Sequence, residues 1–147
     1  MSTEKPLPLV ISTSDNDNGH HELGRKLIDY NSSQFGTMTI LPLLLSLRDG
    51  KGELRAGLSG KIFYQWLTID LLWVADDLRG QGHGSALLKK AEKEARDRAC
   101  TDAWVDTIGL RSLGFYEKNG YSVWGALPDY PPGHKRTFFR KSLRPTA

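Results

Sequence analysis

The sequence has a single cysteine and no long apolar run. Cys100 has no second cysteine to pair with in the 147-residue chain, so no intramolecular disulfide can form. No apolar stretch approaches the roughly 20 residues that a membrane-spanning helix needs. The first residues also lack the basic end and apolar core of a secretory signal peptide. These absences predict a protein of a reducing, bacterial-type cytoplasm without membrane association, in which Cys100 is a small core residue.

The sequence also lacks a strong charge imbalance and clustered metal ligands. The formal net charge is only +3, and the scattered basic residues match no nucleic-acid-binding module. The adjacent His20 and His21 would point in different directions on a helix, and no His, Cys, Asp and Glu residues have metal-ligand spacing. We therefore predict neither a nucleic-acid partner nor a metal site. A composition of 39% hydrophobic and 25% charged residues at this length predicts one domain, residues 1–147.

Hydrophobic alternation and turn residues predict the elements of the N-terminal half. These are, in chain order, a strand over 7–13, a helix over 21–34, and strands over 38–48, 53–64 and 64–74. Residues 49–52, Asp-Gly-Lys-Gly, are typical of a hairpin turn, so the last three strands should form an antiparallel meander. Gly57 and Gly60 weaken the middle strand of the three and indicate a bulge or a closely approaching backbone.

A crossover helix organises the C-terminal half. Apolar residues after Gly84 recur at helical spacing, and the strand over 102–108 is reached through this helix. That strand should therefore lie parallel to the strand over 64–74. A short helix over 110–118 should end at Asn119-Gly120, since glycine suits a left-handed position after a helix. The last two strands, on either side of a stiff proline-rich loop, are predicted over 121–127 and 136–143.

Three glycines separate the third strand of the meander from the crossover helix. Gly80, Gly82 and Gly84 leave the backbone open to close approach, where a helix N-terminus offers unpaired amides and partial positive charge. This combination predicts a seat for an anion, most simply a phosphate. The alternative is that the glycines form only a tight connection, which is the commoner meaning of an isolated Gly-x-Gly.

Two other phosphate-binding loops do not match this stretch. The P-loop needs a Lys-Ser or Lys-Thr pair at a fixed distance from its glycines, and none follows here. The Rossmann fingerprint does not match, because Ser85 occupies the position of its third glycine. The acidic residue that the fingerprint requires about 20 residues later is present as Asp102. The chain after Asp102 is too short for the rest of a doubly wound sheet.

Two motifs stand in order along the second half of the chain. Arg79-x-x-Gly82-x-Gly84 opens a long amphipathic helix, and Phe115-Tyr116-Glu117-Lys118-Asn119-Gly120-Tyr121 ends the later short helix. They resemble the coenzyme A pyrophosphate loop and the Phe-Tyr-x-Lys-x-Gly-aromatic motif of the GNAT superfamily of N-acetyltransferases. Asp106-Thr107 and the loop over 129–134 resemble a bacterial subgroup. The likeness runs from about Trp66 to Leu143, while the N-terminal half matches only in its pattern of elements.

The resemblance implies a fold, a reaction and a co-substrate. The fold would be α/β, with a mixed, largely antiparallel sheet, a parallel strand pair joined by a crossover helix, and flanking helices. The reaction would move an acetyl group from acetyl-CoA to a primary amine of a small molecule by direct attack in a ternary complex. A protein or peptide amine as acceptor, a longer acyl group and a non-catalytic CoA-binding sensor remain alternatives. A homodimer is left open.

The implied cofactor contacts lie at the end of the third strand of the meander and in the glycine loop. Backbone N–H groups near Leu72, Trp73 and Val74 would bond the thioester oxygen and the pantetheine amides, since a β-bulge there would leave ladder groups free. The loop residues expected at the phosphates are Arg79, Gly80, Gln81, Gly82, His83, Gly84 and Ser85.

Two side chains are candidates for catalysis. Tyr116 stands at the general-acid position that the second motif implies, and a phenol of pKa about 10 is roughly matched to a thiolate leaving group. The alternative is a core tyrosine beside Phe115. Asp70 interrupts an apolar strand, where burial would raise its pKa and favour a base, acting directly or through water. The alternatives for Asp70 are a structural aspartate or an electrostatic holder for a cationic acceptor.

The chain departs from the family pattern after the parallel strand. Gly109 stands where many members have Asn, with Ser112 three residues later, so one polar contact to the pantetheine or acceptor is missing. Asp129, Tyr130 and His134 of the stiff loop are further candidates for an acceptor cleft or a dimer contact. A lone loop histidine is more often only solvated.

Overall fold

The computed structural model describes residues 3–14 and 16–146, which fall into two compact units, one up to Met38 and one from Thr39 onward. The first unit contains helix α1, Asp17–Phe35. It begins one turn before the predicted start because Asn16 caps it, with the Asn16 side chain accepting a hydrogen bond from the Asn18 amide at 2.9 Å. The strand predicted over 7–13 is wrong: these residues pair with no strand, and their large apolar side chains are exposed. The single domain over 1–147 stays a prediction.

A six-stranded sheet dominates the described part of the second unit. Its strands are β1 (Leu41–Arg48), β2 (Leu54–Phe63), β3 (Trp66–Val74), β4 (Asp102–Thr107), β5 (Ser122–Pro128) and β6 (Lys135–Ser142). They lie in the order β1-β2-β3-β4-β6-β5, and each neighbouring pair is antiparallel except β3 and β4. Helix α2 (His83–Asp97) crosses from β3 to β4, and helix α3 (Leu110–Lys118) follows β4. The predicted fold class, including the parallel pair, is confirmed.

The parallel pair opens part-way along β3. Pairing between β3 and β4 covers only Trp66–Ile69 on β3, whereas β3 continues to Val74 with β2 alone at its side. The β2–β3 register shifts beside Gly60, which leaves Asp70 opposite no residue. A Cβ atom at Gly60 would lie 2.4 Å from the backbone oxygen of Thr68. The bulge and the close backbone approach predicted from the β2 glycines are therefore both present, and the bulge on β3 lies at Asp70, before the segment 72–74 where it was expected.

The core of this unit lies on the sheet face that carries α2. Small residues on the buried side of α2, Ala91 and Ala95, bring the helix close to Leu67 and Ile69 of β3. Each fully buried large apolar side chain, such as Leu88 or Phe139, contributes about 1.5–3 kcal/mol to stability. Cys100 is 6% exposed within the same cluster, which confirms the prediction that it is a core residue. Tyr116 and Tyr121, which flank the end of α3, join this core and fix the position of the short helix.

Candidate active site

The glycine loop turns the chain from β3 into α2. Gly80 and Gly82 have φ angles of +75° and +88°, the left-handed region that costs other residues about 1–2 kcal/mol. Gly84 has a different role, because a Cβ atom there would lie 3.2 Å from the ring of Phe115 on α3. Two glycines therefore shape the turn, and the third lets α3 pack against the start of α2.

The first turn of α2 presents free backbone donors. Gly82 is the N-cap residue and supplies no side-chain cap, and the first hydrogen bond of the helix runs from the Ala86 amide to the Gly82 carbonyl at 3.0 Å. The amides of His83, Gly84 and Ser85 precede that bond and have no partner within the helix. Together with the helix dipole they make a site suited to an anion.

These amides open into a cleft of about 500 Å³ between the end of β3, the glycine loop and α3. Three cationic side chains line it, Arg79 of the loop and Arg111 and Lys118 of α3. No Asp or Glu is among the lining residues of the described chain. The cleft therefore combines free amides with positive charge, as a phosphate-bearing ligand requires.

Hydrogen bonds and ion pairs within the protein stabilise the conformation of the glycine loop. Arg79 donates from Nε to the Val74 carbonyl at 3.3 Å, and its guanidinium pairs with Asp76 at 2.9 Å. Arg55 of β2 pairs with Asp77, and the Gln81 side chain donates to the Asp77 carbonyl at 3.0 Å. Of the predicted cofactor contacts, Leu72, Trp73, Val74, Arg79, Gly80, Gly82, His83, Gly84 and Ser85 line the cleft. Gln81 does not line it, because its side chain closes the turn instead.

Tyr116 lies on α3, where its ring packs in the core and the residue also lines the cleft. The residue is 5% exposed, and its ring packs against those of Phe115, Tyr121 and Phe139 at centroid distances of 5.1, 5.7 and 5.4 Å. In the described residues no fully buried side-chain oxygen or nitrogen lacks a hydrogen bond. Among the described residues the Tyr116 hydroxyl has no partner, so it is not fully buried, and the residue lines the cleft. Tyr116 is thus a core residue and also remains a candidate acid, so the two alternatives do not exclude each other.

Burial changes the acidity of this phenol. Desolvation, with a smaller effect from the negative charge of Asp106, raises the pKa of Tyr116 to about 12. An ordinary thiol has a pKa of about 8.5, so complete proton transfer to a free thiolate would be uphill by roughly 3 pKa units. The sequence-based expectation of a rough match is therefore wrong. Tyr116 holds its proton firmly and can act as a hydrogen-bond donor to a sulfur on which charge is developing.

A second polar cluster stands where β4 ends. Asp106 forms an ion pair with Arg136 of β6, and the Arg136 guanidinium lies 4.7 Å from the centre of the Tyr130 ring. The loop that carries Tyr130 is closed by a hydrogen bond from its amide to the His134 carbonyl at 3.0 Å. The structure thus places Tyr130 against β6 through Arg136, and the side chains of Asp129 and His134 are exposed.

Asp70 is not buried, contrary to the sequence-based expectation. Its side chain is 40% exposed and pairs with Lys61 of β2 at 3.3 Å. Strand alternation explains this, because Leu67 and Ile69 face the core and Asp70, one residue after Ile69, points to the opposite face of the sheet. Asp70 does not line the cleft that contains Tyr116. A catalytic role for Asp70 therefore stays a prediction without the support of burial.

Sequence reasoning placed Tyr116 of α3 at the site but missed the other α3 residues that line the cleft. Arg111, Phe115 and Lys118 line it at positions i, i+4 and i+7 of one helix, so they share a face. That spacing was a usable signal for two cations on one side of a helix. Ser112 also lines the cleft, and its hydroxyl lies 3.2 Å from where a Cβ of Gly109 would stand.

Comparison with known proteins identifies the family. The sequence model of the acetyltransferase (GNAT) family matches residues 14–121, which is most of the chain. The chain belongs to the GNAT family. The acetyltransferase Atu2258 of Agrobacterium fabrum is 35% identical over 115 residues, 78% of this chain and 84% of that protein. The crystal structure of an Agrobacterium tumefaciens protein superposes with a TM-score of 0.85 at 31% identity, covering 92% of this chain and 99% of that one.

A third GNAT relative carries a substrate in its name. The blasticidin-S acetyltransferase of Streptomyces morookaense is 45% identical over 84 residues. The match covers 56% of this chain and 62% of that protein, so it spans less than two thirds of the relative.

The cleft fits the co-substrate of a GNAT enzyme. Acetyl-CoA carries a pyrophosphate, for which the free amides of α2 and the cations Arg79, Arg111 and Lys118 are suitable partners. The unpaired edge of β3 beyond Ile69 offers backbone groups to the amides of the pantetheine arm. In the described chain no three His, Cys, Asp or Glu residues are grouped to hold a metal ion, and no helix there is long and apolar enough to cross a membrane.

Proposed function

We propose that the chain transfers the acetyl group of acetyl-CoA to a primary amine of a small molecule, in one step within a ternary complex. The observation that carries the proposal is the cleft, where free amides, three cations and the Tyr116 hydroxyl converge beside the open edge of β3. The amides and cations would bind the phosphates, the edge of β3 would polarise the thioester carbonyl, and the hydroxyl would donate to the leaving sulfur.

The chain's residues divide between binding and chemistry. The amides of Gly82 to Ser85 and the cationic side chains hold the phosphates, and the exposed edge of β3 over 72–74 holds the pantetheine arm. A backbone N–H of that edge polarises the thioester carbonyl, which makes its carbon more electrophilic. Gln81 braces the loop and has an indirect role in binding.

The transfer itself exchanges one bond for another. The amine nitrogen bonds to the carbonyl carbon while the carbon–sulfur bond breaks, and the electron pair of that bond leaves with sulfur. Tyr116 donates its hydroxyl proton toward this sulfur, which stabilises the developing thiolate. The surplus proton of the attacking nitrogen passes to Asp70 or to water. In the first case Asp70 is the base. In the second case Asp70 is the anionic group that holds a cationic acceptor.

The name of one relative supports a small-molecule acceptor. Blasticidin S is the substrate that the Streptomyces relative's name gives, and that relative is 45% identical over the matched segment. We extend the class, a small molecule with a primary amine, to this chain. The acceptor would approach from the side of the cleft where Tyr116 lies, within reach of the negative charge of Asp106 that acts on Tyr116.

An amine panel tests the proposal. The chain would be incubated with acetyl-CoA and separately with blasticidin S, other small primary amines and peptides with free N-termini, and thiol release and product mass would be followed. We expect acetylation of at least one small amine and none of the peptides. Acetylation of peptides alone would overturn the acceptor class. CoA binding without turnover on any amine would overturn the enzymatic proposal in favour of a sensor.

A further inference from the structure

The side chain of Asn119 links the two helices that line the cleft. Asn119 is the C-cap residue of α3, and its Nδ2 lies 3.2 Å from the hydroxyl oxygen of Ser85, in the first turn of α2. The same Nδ2 lies 2.8 Å from the Phe115 carbonyl. Ser85 lines the cleft, so the contact joins the end of the tyrosine-bearing helix to the proposed phosphate seat.

The hydrogen positions in this link follow from the donors and acceptors available. The Phe115 carbonyl can only accept, so the atom of the Asn119 amide that faces it must be the nitrogen. This fixes the orientation of the amide, which is otherwise ambiguous. The second hydrogen on Nδ2 then points to the Ser85 oxygen, which accepts. The Ser85 hydroxyl hydrogen is consequently free to point away from Asn119.

The backbone of Asn119 is held from the opposite side. Lys141 of β6 donates to the Asn119 carbonyl at 2.9 Å and pairs with Glu92 of α2 at 2.8 Å. Glu92 is 2% exposed, and it also accepts from the Tyr121 hydroxyl at 2.9 Å. Because Glu92 and Tyr121 are buried and Lys141 joins them to the Asn119 carbonyl, Asn119 has little freedom to move relative to α2.

We propose that Asn119 is a positioning residue that orients the Ser85 hydroxyl to donate a hydrogen bond to a phosphate oxygen of coenzyme A. The inference rests on the proposed role of the glycine loop as the phosphate seat. Ser85 alone would have a hydroxyl that rotates freely and accepts or donates equally. With its oxygen engaged by Asn119, the hydroxyl supplies a directed donor next to the free amides of α2.

A double-mutant cycle on CoA affinity tests this coupling. The dissociation constant for CoA would be measured calorimetrically on wild type, Ser85→Ala, Asn119→Ala and the double variant, with folding checked by circular dichroism. Ser85→Ala removes a hydrogen bond to a charged oxygen and should weaken binding by roughly 10–150-fold, whereas Asn119→Ala leaves that hydroxyl in place and should weaken binding by about 3–10-fold. Asn119→Ala should have almost no further effect in the Ser85→Ala background, because its effect passes through that hydroxyl.

Asn119→Asp provides a second, independent variant. A carboxylate cannot donate to the Phe115 carbonyl, and it would accept the Ser85 hydroxyl hydrogen and repel the phosphates. It should therefore weaken CoA binding more than Asn119→Ala does. A purely structural cap would make the effect of Asn119→Ala on CoA affinity the same whether or not the Ser85 hydroxyl is present.

The results separate this inference from the proposal on which it depends. Equal weakening by Asn119→Ala in the wild-type and Ser85→Ala backgrounds, or no weakening at all, would overturn the positioning role. Gly82→Val tests the phosphate site separately, because Gly82 belongs to the loop and is not a partner in the Asn119–Ser85 contact. Unchanged CoA affinity in Gly82→Val would overturn the seat itself.

Discussion

Replacement of Tyr116 by Phe removes one hydroxyl group and leaves the packing of the ring in place. The three ring contacts, with Phe115, Tyr121 and Phe139, do not involve the hydroxyl. Among the described residues no hydrogen bond contributes to the raised pKa of the hydroxyl, whose causes are burial and the charge of Asp106. We therefore expect the free energy of unfolding to change by less than about 0.5 kcal/mol, as for substitutions that touch no buried interaction.

The expected loss of rate follows from the acidity of the phenol. A general acid contributes about 10²–10⁴ in rate, and a hydrogen bond to a charged group contributes about 1.5–3 kcal/mol, or roughly 10–150-fold. Since burial raises the pKa of Tyr116 to about 12, the proton is only partly transferred as sulfur departs. We expect kcat to fall about 10²-fold at neutral pH, with the affinity for acetyl-CoA nearly unchanged.

Tyr121→Phe is a matched control for this experiment. Its ring centre lies 5.7 Å from that of Tyr116, but its hydroxyl donates to buried Glu92 at 2.9 Å. It should lower stability by about 1.5–3 kcal/mol, the cost of losing a hydrogen bond to a charged group, and affect kcat much less. Kinetics at saturating acetyl-CoA and acceptor, with thermal unfolding in parallel, give both quantities. A kcat for Tyr116→Phe within about twofold of wild type would refute the proton-donor role and leave water as the donor.

Three further predictions concern the sheet, Asp70 and alkaline pH. Gly60→Ala should destabilise the fold by about 1–3 kcal/mol or more in chemical denaturation, because its Cβ would lie 2.4 Å from the Thr68 carbonyl oxygen; unchanged stability would contradict that close approach. Asp70→Asn should lower kcat and flatten the rise of rate with pH while changing stability by less than about 1 kcal/mol, and a matching rate loss in Lys61→Met would assign the effect to their ion pair instead. The free energy of unfolding should fall above pH 10. An unfolded tyrosine ionises near pH 10.0 whereas folded Tyr116 keeps its proton to about pH 12, so the unfolded state binds fewer protons in this range. The slope, up to about 1.4 kcal/mol per pH unit for this group, should be smaller in Tyr116→Phe.

Local signals were sufficient for the elements that begin and end at distinctive residues. Helix α3 was predicted with its observed bounds, because Asn119-Gly120 ends it and Gly120 adopts a φ of +89°. The glycine loop was equally readable, since left-handed turns depend on the residues that form them. The strand over 7–13 failed because a strand exists only through pairing with a neighbour, which composition does not specify.

The site was less predictable where it depends on register and on tertiary packing. A regular strand would direct Leu71 inward, but the bulge at Asp70 turns it outward, where it is 70% exposed, and packs Leu72 against the core instead. Asp70 itself is exposed by ordinary alternation, because it follows the inward-facing Ile69. Arg111 and Lys118 were missed because their role depends on which face of α3 borders the cleft, a consequence of how Phe115 packs on Gly84.

The central claim is that the glycine loop at the start of α2 holds the phosphates of coenzyme A, and Gly82→Val tests it most directly. A β-branched residue at a φ of +88° is strained and places its side chain beside the amides of α2. Gly52→Val is the matched control, because Gly52 has a φ of +83° in the turn between β1 and β2, which does not line the cleft.

Calorimetric titration of CoA into wild type and both variants, each shown to be folded, gives the comparison. We predict that Gly52→Val binds CoA like wild type and that Gly82→Val binds about 10²-fold more weakly or worse, since several hydrogen bonds to charged oxygens, each worth about 1.5–3 kcal/mol, are lost. Equal CoA affinity in wild type and folded Gly82→Val would contradict the claim.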